Sequence, residues 1–572
     1  SDKLIGIETF LSRIYKTSVL QYEEIISNFT GIIPCTVCAG SRLRKEALYV
    51  YVADKNMADL LKLSIDYFGQ WIDGLTFSSY ENKIADRIIK EIQNRVKTLK
   101  KVGLHYLTLN RSSDTLSGGE SQRIYLTKNL NSNLANSLYI LDEPSIGLHP
   151  KDSENLIQVL QELRDLKNTV LVVEHDQFII KSADYIIELG PQAAQHGGNI
   201  VAQGSPQEII TINNSLTAKL FKDEIHPKIV KKKELIHFFM LSEANSHNLK
   251  NISCQFPLEA LTVVCGVSGS GKSTLIKIDL IESLEKVFKK NHNHIYDWSY
   301  KKKKVNSSIS GNYSMIKDFV LVDQKSIGRS SRSSPITYIG GFDAIRYIFS
   351  STPLAKQRKY YATYFSFNTD GGRCEDCLGE GVKTIEMQFL SDINVVCETC
   401  KGKKFKDEIL EVEYKNKNIH DILTMTVDEA IDFFTNDKNV VDLITPLKEV
   451  GLGYLKLGQN SMTLSGGEAQ RIKLATYLLP SKSKTIPYLF IFDEPTTGLH
   501  SLDITNLLTS FQKLIKQGHT IICIEHNTDV INAADWVIEI GPEGGQNGGN
   551  LIFEGTLANL KKFTNSITAK YL

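Results

Sequence analysis

Short apolar runs alternate with longer amphipathic stretches through much of the chain. Residues 138–141, 169–173, 261–264, 319–322, 489–492 and 520–524 are the clearest runs, each of four or five largely apolar positions. Runs of that length with no polar residue at every second place read as strands buried on both faces. Helical spacing of apolar positions fills the intervals, as in residues 155–166 and from Leu275 onward. Strand and helix in alternation predict an α/β fold with a parallel sheet covered on both sides.

The pattern is duplicated. Leu116-Ser117-Gly118-Gly119-Glu120-Ser121-Gln122-Arg123-Ile124 returns as Leu464-Ser465-Gly466-Gly467-Glu468-Ala469-Gln470-Arg471-Ile472. An apolar run ending in Asp142-Glu143-Pro144 returns as one ending in Asp493-Glu494-Pro495, and Glu174-His175 returns as Glu525-His526. The pair Cys35 and Cys38 matches Cys397 and Cys400. The second copy carries two further features upstream of its pair, a glycine-rich loop near Lys272 and the pair Cys374 and Cys377. The first copy has only residues 1–34 there, so the chain reads as a duplicated protein that begins partway through its first unit. The expected division is a partial insertion over 1–108, the end of a first α/β unit over 109–222 and a charged, proline-containing linker over 223–237. The start of a second unit over 238–287, its insertion over 288–450 and its end over 451–572 complete the chain.

Composition adds limits. With 66 basic against 65 acidic side chains the net charge is +1, which excludes a polybasic nucleic-acid binder and leaves only local basic surfaces. Two stretches are candidates. Lysines fill 301–304, as a solvated face or a nucleic-acid contact, and basic and aromatic residues interleave over 356–365, for packing or for stacking on a strand. No apolar run reaches the ~18 residues of a membrane span, and the start lacks the features of a signal peptide. Nine cysteines are too few for a disulfide scaffold, and six of them form three C-x-x-C pairs. A reducing, cytoplasmic setting with no membrane partner is expected.

The chemistry centres on Gly266-Val267-Ser268-Gly269-Ser270-Gly271-Lys272-Ser273-Thr274, a phosphate-binding loop between a strand and a helix. Its glycines let backbone N–H groups reach phosphates, Lys272 would address the β- and γ-phosphates, and Ser273 would hold Mg²⁺. In that setting Asp493 would support Mg²⁺, and Glu494 would position or activate the attacking water. Asp142 and Glu143 are their repeats. The Ser-Gly-Gly steps at Ser117, Gly118, Gly119 and at Ser465, Gly466, Gly467 start helices. They read as γ-phosphate sites, as N-caps with a capping-box Glu, or as both. His175 and His526 end strands where a γ-phosphate sensor would sit, and Gln324 follows another strand end, where it could report nucleotide state. Cys374, Cys377, Cys397 and Cys400, spaced C-x2-C-x19-C-x2-C, predict a structural tetrahedral Zn²⁺ site. Cys254, Cys265 and Cys523 read as core residues.

Phosphate loop, Gln324, Leu-Ser-Gly-Gly-Glu, Asp-Glu and the switch histidine together resemble the ATP-binding-cassette class. Within it, Asp493-Glu494-Pro495-Thr496-Thr497-Gly498-Leu499-His500, its sister 142–149, and Phe365-Ser366-Phe367-Asn368 leading into the cysteines resemble the UvrA family of excision-repair damage-recognition proteins. The resemblance spans essentially the whole chain. It implies tandem ABC-type P-loop ATPase units with inserted helical and zinc-binding signature domains, arranged head to tail. Lys272, Ser273, Gln324, Asp493, Glu494 and His526 would then face Ser117, Gly118 and Gly119, while Asp142, Glu143, His175 and Ser465 would mark a second site. It further implies ATP, Mg²⁺ and Zn²⁺ as cofactors, hydrolysis of ATP without nuclease activity, damaged double-stranded DNA as a partner and a homodimer. A UvrB-type partner is implied only where the family's upstream region is supplied. Two other readings stay open: a paralogue serving drug self-resistance or another non-repair role, and a fragment that binds DNA or a partner without turning over ATP.

Overall fold

The computed structural model of the protein describes residues 35–113, 116, 118–130, 135–191, 197–222, 224, 234–288, 305–328, 332–385, 393–479 and 487–572. Ser117, the lysines at 301–304 and most of the linker lie outside the described residues. In the first unit α1 (Ser79–Lys101) leads to α2 (Gly118–Leu130), β1 (Leu138–Asp142), α3 (Pro150–Asp165), β2 (Thr169–Val173), β3 (Ile186–Gly190) and β4 (Asn199–Gly204). The second unit opens with β5 (Phe238–Ala244), β6 (Ile252–Pro257) and β7 (Leu261–Cys265). A π-helical segment, Thr274–Leu280, follows and runs into α4 (Ile281–Phe288), then β8 (Ser308–Gly311) and β9 (Asp318–Val322). An inserted region with α5 (Gly341–Ser350) and α6 (Lys438–Glu449) precedes α7 (Gly466–Ala475). The unit closes with β10 (Tyr488–Asp493), α8 (Ser501–Lys516), β11 (Thr520–Ile524), β12 (Trp536–Gly541) and β13 (Asn550–Gly555).

The predicted parallel sheet is present. Its strand order is β9-β10-β11-β7-β12-β13, all parallel except the edge strand β13. Both faces are covered. Leu489, Ile491, Ile522 and Ile524 pack under the antiparallel sheet β8-β5-β6 and the π-helical segment. Phe490, Phe492, Ile521 and Cys523 point the other way, toward α7, α8 and the inserted region. Side chains alternating across a pleat explain why nearly every position of these strands is apolar.

The first unit repeats the end of this arrangement: β1 and β2 pair in parallel and β3 and β4 antiparallel, as β10 with β11 and β12 with β13 do. Burial differs. Leu138, Ile140, Leu171 and Val173 are 59%, 66%, 47% and 47% exposed, whereas their repeats Leu489, Ile491, Ile522 and Ile524 are at 0%. In the second unit β5, β6 and the segment after β7 cover that face.

Local signals explain where the elements begin. Residues 155–166 were expected to be helical from periodicity, yet α3 starts at Pro150. His149 caps it by accepting from Lys151 N, and proline suits a first turn because its missing N–H has no partner to lose. α7 starts at a capping box in which Ser465 accepts from Glu468 N at 3.2 Å and Glu468 accepts from Ser465 N at 2.9 Å. In the basic–aromatic stretch, Tyr360 stacks on Tyr364 with centroids 5.0 Å apart, and Phe365 is fully buried, so these rings pack. Tyr361 is exposed. Among the described residues no helix is long and apolar enough to cross a membrane.

Candidate nucleotide and metal sites

β7 ends at residues 266–274, the predicted phosphate-binding loop, in the middle of the sheet. Gly266, Gly269 and Gly271 all have positive φ, so the loop can wrap tightly with no Cβ in its way. A side chain at Gly266 would lie 2.0 Å from the Ile540 carbonyl oxygen of β12. Lys272 is buried, and its ammonium donates to the carbonyls of Gly266 at 2.9 Å and Val267 at 2.8 Å. Burial pulls its pKa down, against the charges of Glu494 and Asp152. Ser273 is exposed, and Thr274 opens the π-helical segment.

Parallel pairing sets the acids beside this loop. Asp493 ends β10, two strands from β7, and Glu494 follows in a left-handed conformation with φ 46° while its N–H donates to Ile524 O at 3.0 Å. Glu143 repeats this with φ 44° and a bond to Val173 O at 2.9 Å. A non-glycine residue held there stores strain, which functional sites often do. Lys277 forms an ion pair with Asp493. Burial and the charges of Asp493 and Glu525 push the Glu494 carboxyl up to about 7. His526 lies 3.8 Å from Glu494, and burial, Lys272, His149 and Arg123 drive its pKa far down, so it is neutral. His175 differs: it lies 3.2 Å from Glu143, and that contact raises its pKa. Gln324 donates to Glu494 O and Thr497 Oγ1, both at 3.2 Å, and touches the signature step at Gly466.

The two units meet at this loop. The Tyr106 ring lies against Gly269, where a Cβ would be 2.7 Å from it, and the Tyr106 hydroxyl donates to Glu120 in the first turn of α2 at 2.6 Å. Ser268 N donates to Asp152 of α3 at 3.3 Å, and Ser268 Oγ to Gly147 O at 3.2 Å. A Cβ on Gly147 would lie 3.3 Å from Glu494 Oε2, and one on Gly498 would lie 3.4 Å from Glu143 Oε2. The contacts are reciprocal, as an internal repeat facing itself requires. Gly118 and Gly119 begin α2 here, and Gly466 and Gly467 begin α7.

The cysteines converge separately. The sulfurs of Cys374, Cys377, Cys397 and Cys400 all lie within 4.8 Å of one another, and all four residues are buried. Cys374–Cys397 is 4.0 Å and Cys377–Cys400 is 3.6 Å, far too long for disulfides. Zn–S bonds of about 2.3 Å in a tetrahedron set sulfur–sulfur edges of about 3.8 Å, which these bracket. Gly379 and Gly402 take φ +85° and +82° in matching turns after each pair. The donor set fits Zn²⁺. Cys35 is exposed and Cys38 half-buried, and neither joins a cluster of three ligands among the described residues. Cys254, Cys265 and Cys523 are buried in the core, as expected.

One solved structure, UvrA2 from Deinococcus radiodurans, matches with a TM-score of 0.89 at 38% identity over 99% of this chain and 69% of that one. The chain belongs to the UvrA family. It is 48% identical over 568 residues to UvrABC system protein A of Clostridium perfringens, covering 99% of this chain and 59% of that protein. To UvrABC system protein A of Aquifex aeolicus it is 48% identical over 554 residues, covering 96% and 58%. The chain thus spans about three fifths of the length of the curated relatives it matches. No family model matches it. Its fold is the UvrA one: α/β units of the ATP-binding-cassette type in tandem, with helical insertions and a four-cysteine module.

The sequence alone gives no role to Tyr106, Gly147, His149, Lys277 or Glu525, although Glu525 stands in a repeated pair and Gly147 and His149 in the repeated block 142–149. Repeat signals point to two of them. Tyr106 recurs as Tyr454, which donates to Glu468 at 2.7 Å as Tyr106 does to Glu120. Glu525 accepts from Thr496 N, His526 N and Asn527 N, and Glu174 accepts from Ser145 N, His175 N and Asp176 N, so each ties the acidic turn to the histidine turn. Lys277 has no such signal, because the repeat does not extend to the loop.

Proposed function

We propose that this chain binds and hydrolyses ATP between the phosphate loop of its second unit and the signature helix of its first, and binds damaged double-stranded DNA in nucleotide-excision repair. The observation that carries the reading is the meeting of Tyr106, Glu120 and Gly147 with Gly269, Ser268 and Glu494. It supports reading the start of α2, at Gly118 and Gly119, as the signature that faces the γ-phosphate, with Ser117 assigned to it by sequence. In this reading Lys272 leaves its loop carbonyls for the phosphates, and Ser273, Gln324 and Asp493 hold the metal side. Glu494 takes the proton of the attacking water, and neutral His526 donates toward the γ-phosphate oxygens. Mg²⁺, held through Ser273 and Asp493, would supply charge neutralisation of the phosphate oxygens. Asp142, Glu143, His175, Ser465, Gly466 and Gly467 form the matching half of a second site. The four cysteines hold Zn²⁺ as a structural centre. Cleavage of DNA is left to other proteins, dimerisation is with a second copy, and a UvrB-type partner belongs to the longer relatives' reading.

The test is steady-state ATP hydrolysis with and without damaged duplex DNA, beside Lys272→Ala and Glu494→Gln. Turnover lost by roughly a hundredfold or more in both variants, with DNA binding stronger for damaged than for intact duplex, is expected. Absent turnover in a folded, zinc-loaded chain would overturn the ATPase assignment. Equal affinity for intact and damaged duplex would overturn the repair assignment and favour the paralogue reading.

A further inference from the structure

We propose that Lys277 is a tethered cation that competes with the divalent metal for the Asp493 carboxylate, and so sets how much free metal the site needs. The inference rests on the reading of residues 266–273 as a nucleotide site. Ser273 and Lys277 stand four residues apart, and the wide winding of Thr274–Leu280 keeps residues so spaced on one face. The Lys277 ammonium pairs with Asp493 Oδ2, with the two side chains 30% and 20% exposed, so water only partly screens the contact. Lys272 does not take this place, because its ammonium donates to the carbonyls of Gly266 and Val267.

A hard divalent cation is recruited by carboxylate oxygens, directly or through its own water. Asp493 is the acid that ends β10 beside the loop, and its Oδ2 is engaged by an ammonium. Metal and ammonium cannot share that oxygen without like-charge repulsion in a partly shielded site. The flexible four-carbon stem lets the ammonium withdraw toward solvent when metal arrives. Displacement costs free energy, so metal engages later than it would beside a neutral residue. The charge also shields Asp493 from Glu494 next to it, so the same side chain holds two adjacent acids together until metal replaces it.

Mn²⁺ serves as the probe, read from loss of its free-ion electron paramagnetic resonance signal with the whole chain and ADP present. Lys277→Asn and Lys277→Gln are compared with wild type and with Lys277→Arg, and zinc content and thermal melting verify the fold of each. Both neutral variants are expected to reach half-saturation at about tenfold lower Mn²⁺, the order expected from removing one charge beside the carboxylate, while Lys277→Arg stays near wild type. An unchanged or higher half-saturation in the folded neutral variants, with ADP binding in EDTA intact, overturns the inference alone. Failure of the wild-type chain to bind ADP even in EDTA would bring down the nucleotide-site reading, and the inference with it. Either neutral variant suffices if the other does not fold.

Discussion

Glu494 sits between two acids and two lysines, and its ionisation is expected to be visible in the rate. Burial, Asp493 and Glu525 raise its carboxyl to about 7, against Lys272 and Lys277. A base must be ionised, so hydrolysis should climb with pH and level off above about 7, which a pH–rate profile checks; a flat profile through that range would remove Glu494 from the role. Stability runs the other way. A carboxyl whose folded pKa lies above its ordinary value of 4.5 contributes stability below that value and loses it as pH rises through about 7. Glu494→Gln is therefore expected to melt higher than wild type above neutrality and no higher at acid pH. Gly147 can be tested at the same scale. An alanine methyl there would press on Glu494 Oε2 at 3.3 Å, and its φ of +68° strains any L-residue. Gly147→Ala should cost about 1 kcal/mol of stability in a melt and lower turnover by about tenfold, and wild-type turnover would show that the contact is slack.

The cysteine module is the element whose fold depends most on a few atoms. Its hairpin, Val382–Ile385 with Ile393–Val396, has mostly exposed side chains, so little apolar burial supports it apart from the four thiols. Cys400→Ser is expected to release Zn²⁺ and open residues 372–406 to proteolysis while the six-stranded sheet persists. Metal content and limited digestion would check this, and a protease-resistant module without zinc would contradict it. The element scale also shows what was legible beforehand. The bounds of β2 and β11 follow the apolar runs 169–173 and 520–524, in β11 because a strand buried on both faces leaves no polar position to blur its ends, and in β2 because its sequence repeats that run although one of its faces is exposed. The cysteine spacing carried the four-thiol cluster, since two knuckle turns admit few geometries. Periodicity alone starts α3 five residues late, at Asn155, because the His149-Pro150 cap decides the start. Lys277 and Tyr106 stayed hidden because their partners, Asp493 and Gly269, are distant in sequence and meet only through the sheet and the junction of units.

Across the whole molecule, the end of the chain fastens one unit to the other. His149, at the start of α3, accepts from Lys151 N through Nδ1 at 3.2 Å, so its Nε2 carries the proton and donates to Thr568 Oγ1 at 3.2 Å. Thr568 in turn donates to Glu539 of β12 at 2.7 Å. Burial, then Lys272 and Lys151, lower the His149 pKa to about 3. Between the ordinary imidazole value of 6.5 and about 3 the unfolded chain binds a proton that the folded chain refuses, so stability falls as pH drops below about 6.5. One such histidine contributes up to about 1.4 kcal/mol per pH unit. Melting temperature measured across this range should fall less steeply for His149→Gln than for wild type, and parallel slopes would show that the histidine is not the source. The same junction carries the paired approaches of Gly147 to Glu494 and of Gly498 to Glu143. Whatever a ligand does to the affinity at one acidic turn, a ligand at the other must do in return by the same factor, as reciprocity of binding free energies demands. In the proposed reading the two halves of this chain are linked through this junction, so an occupancy at one acidic turn would report on the other.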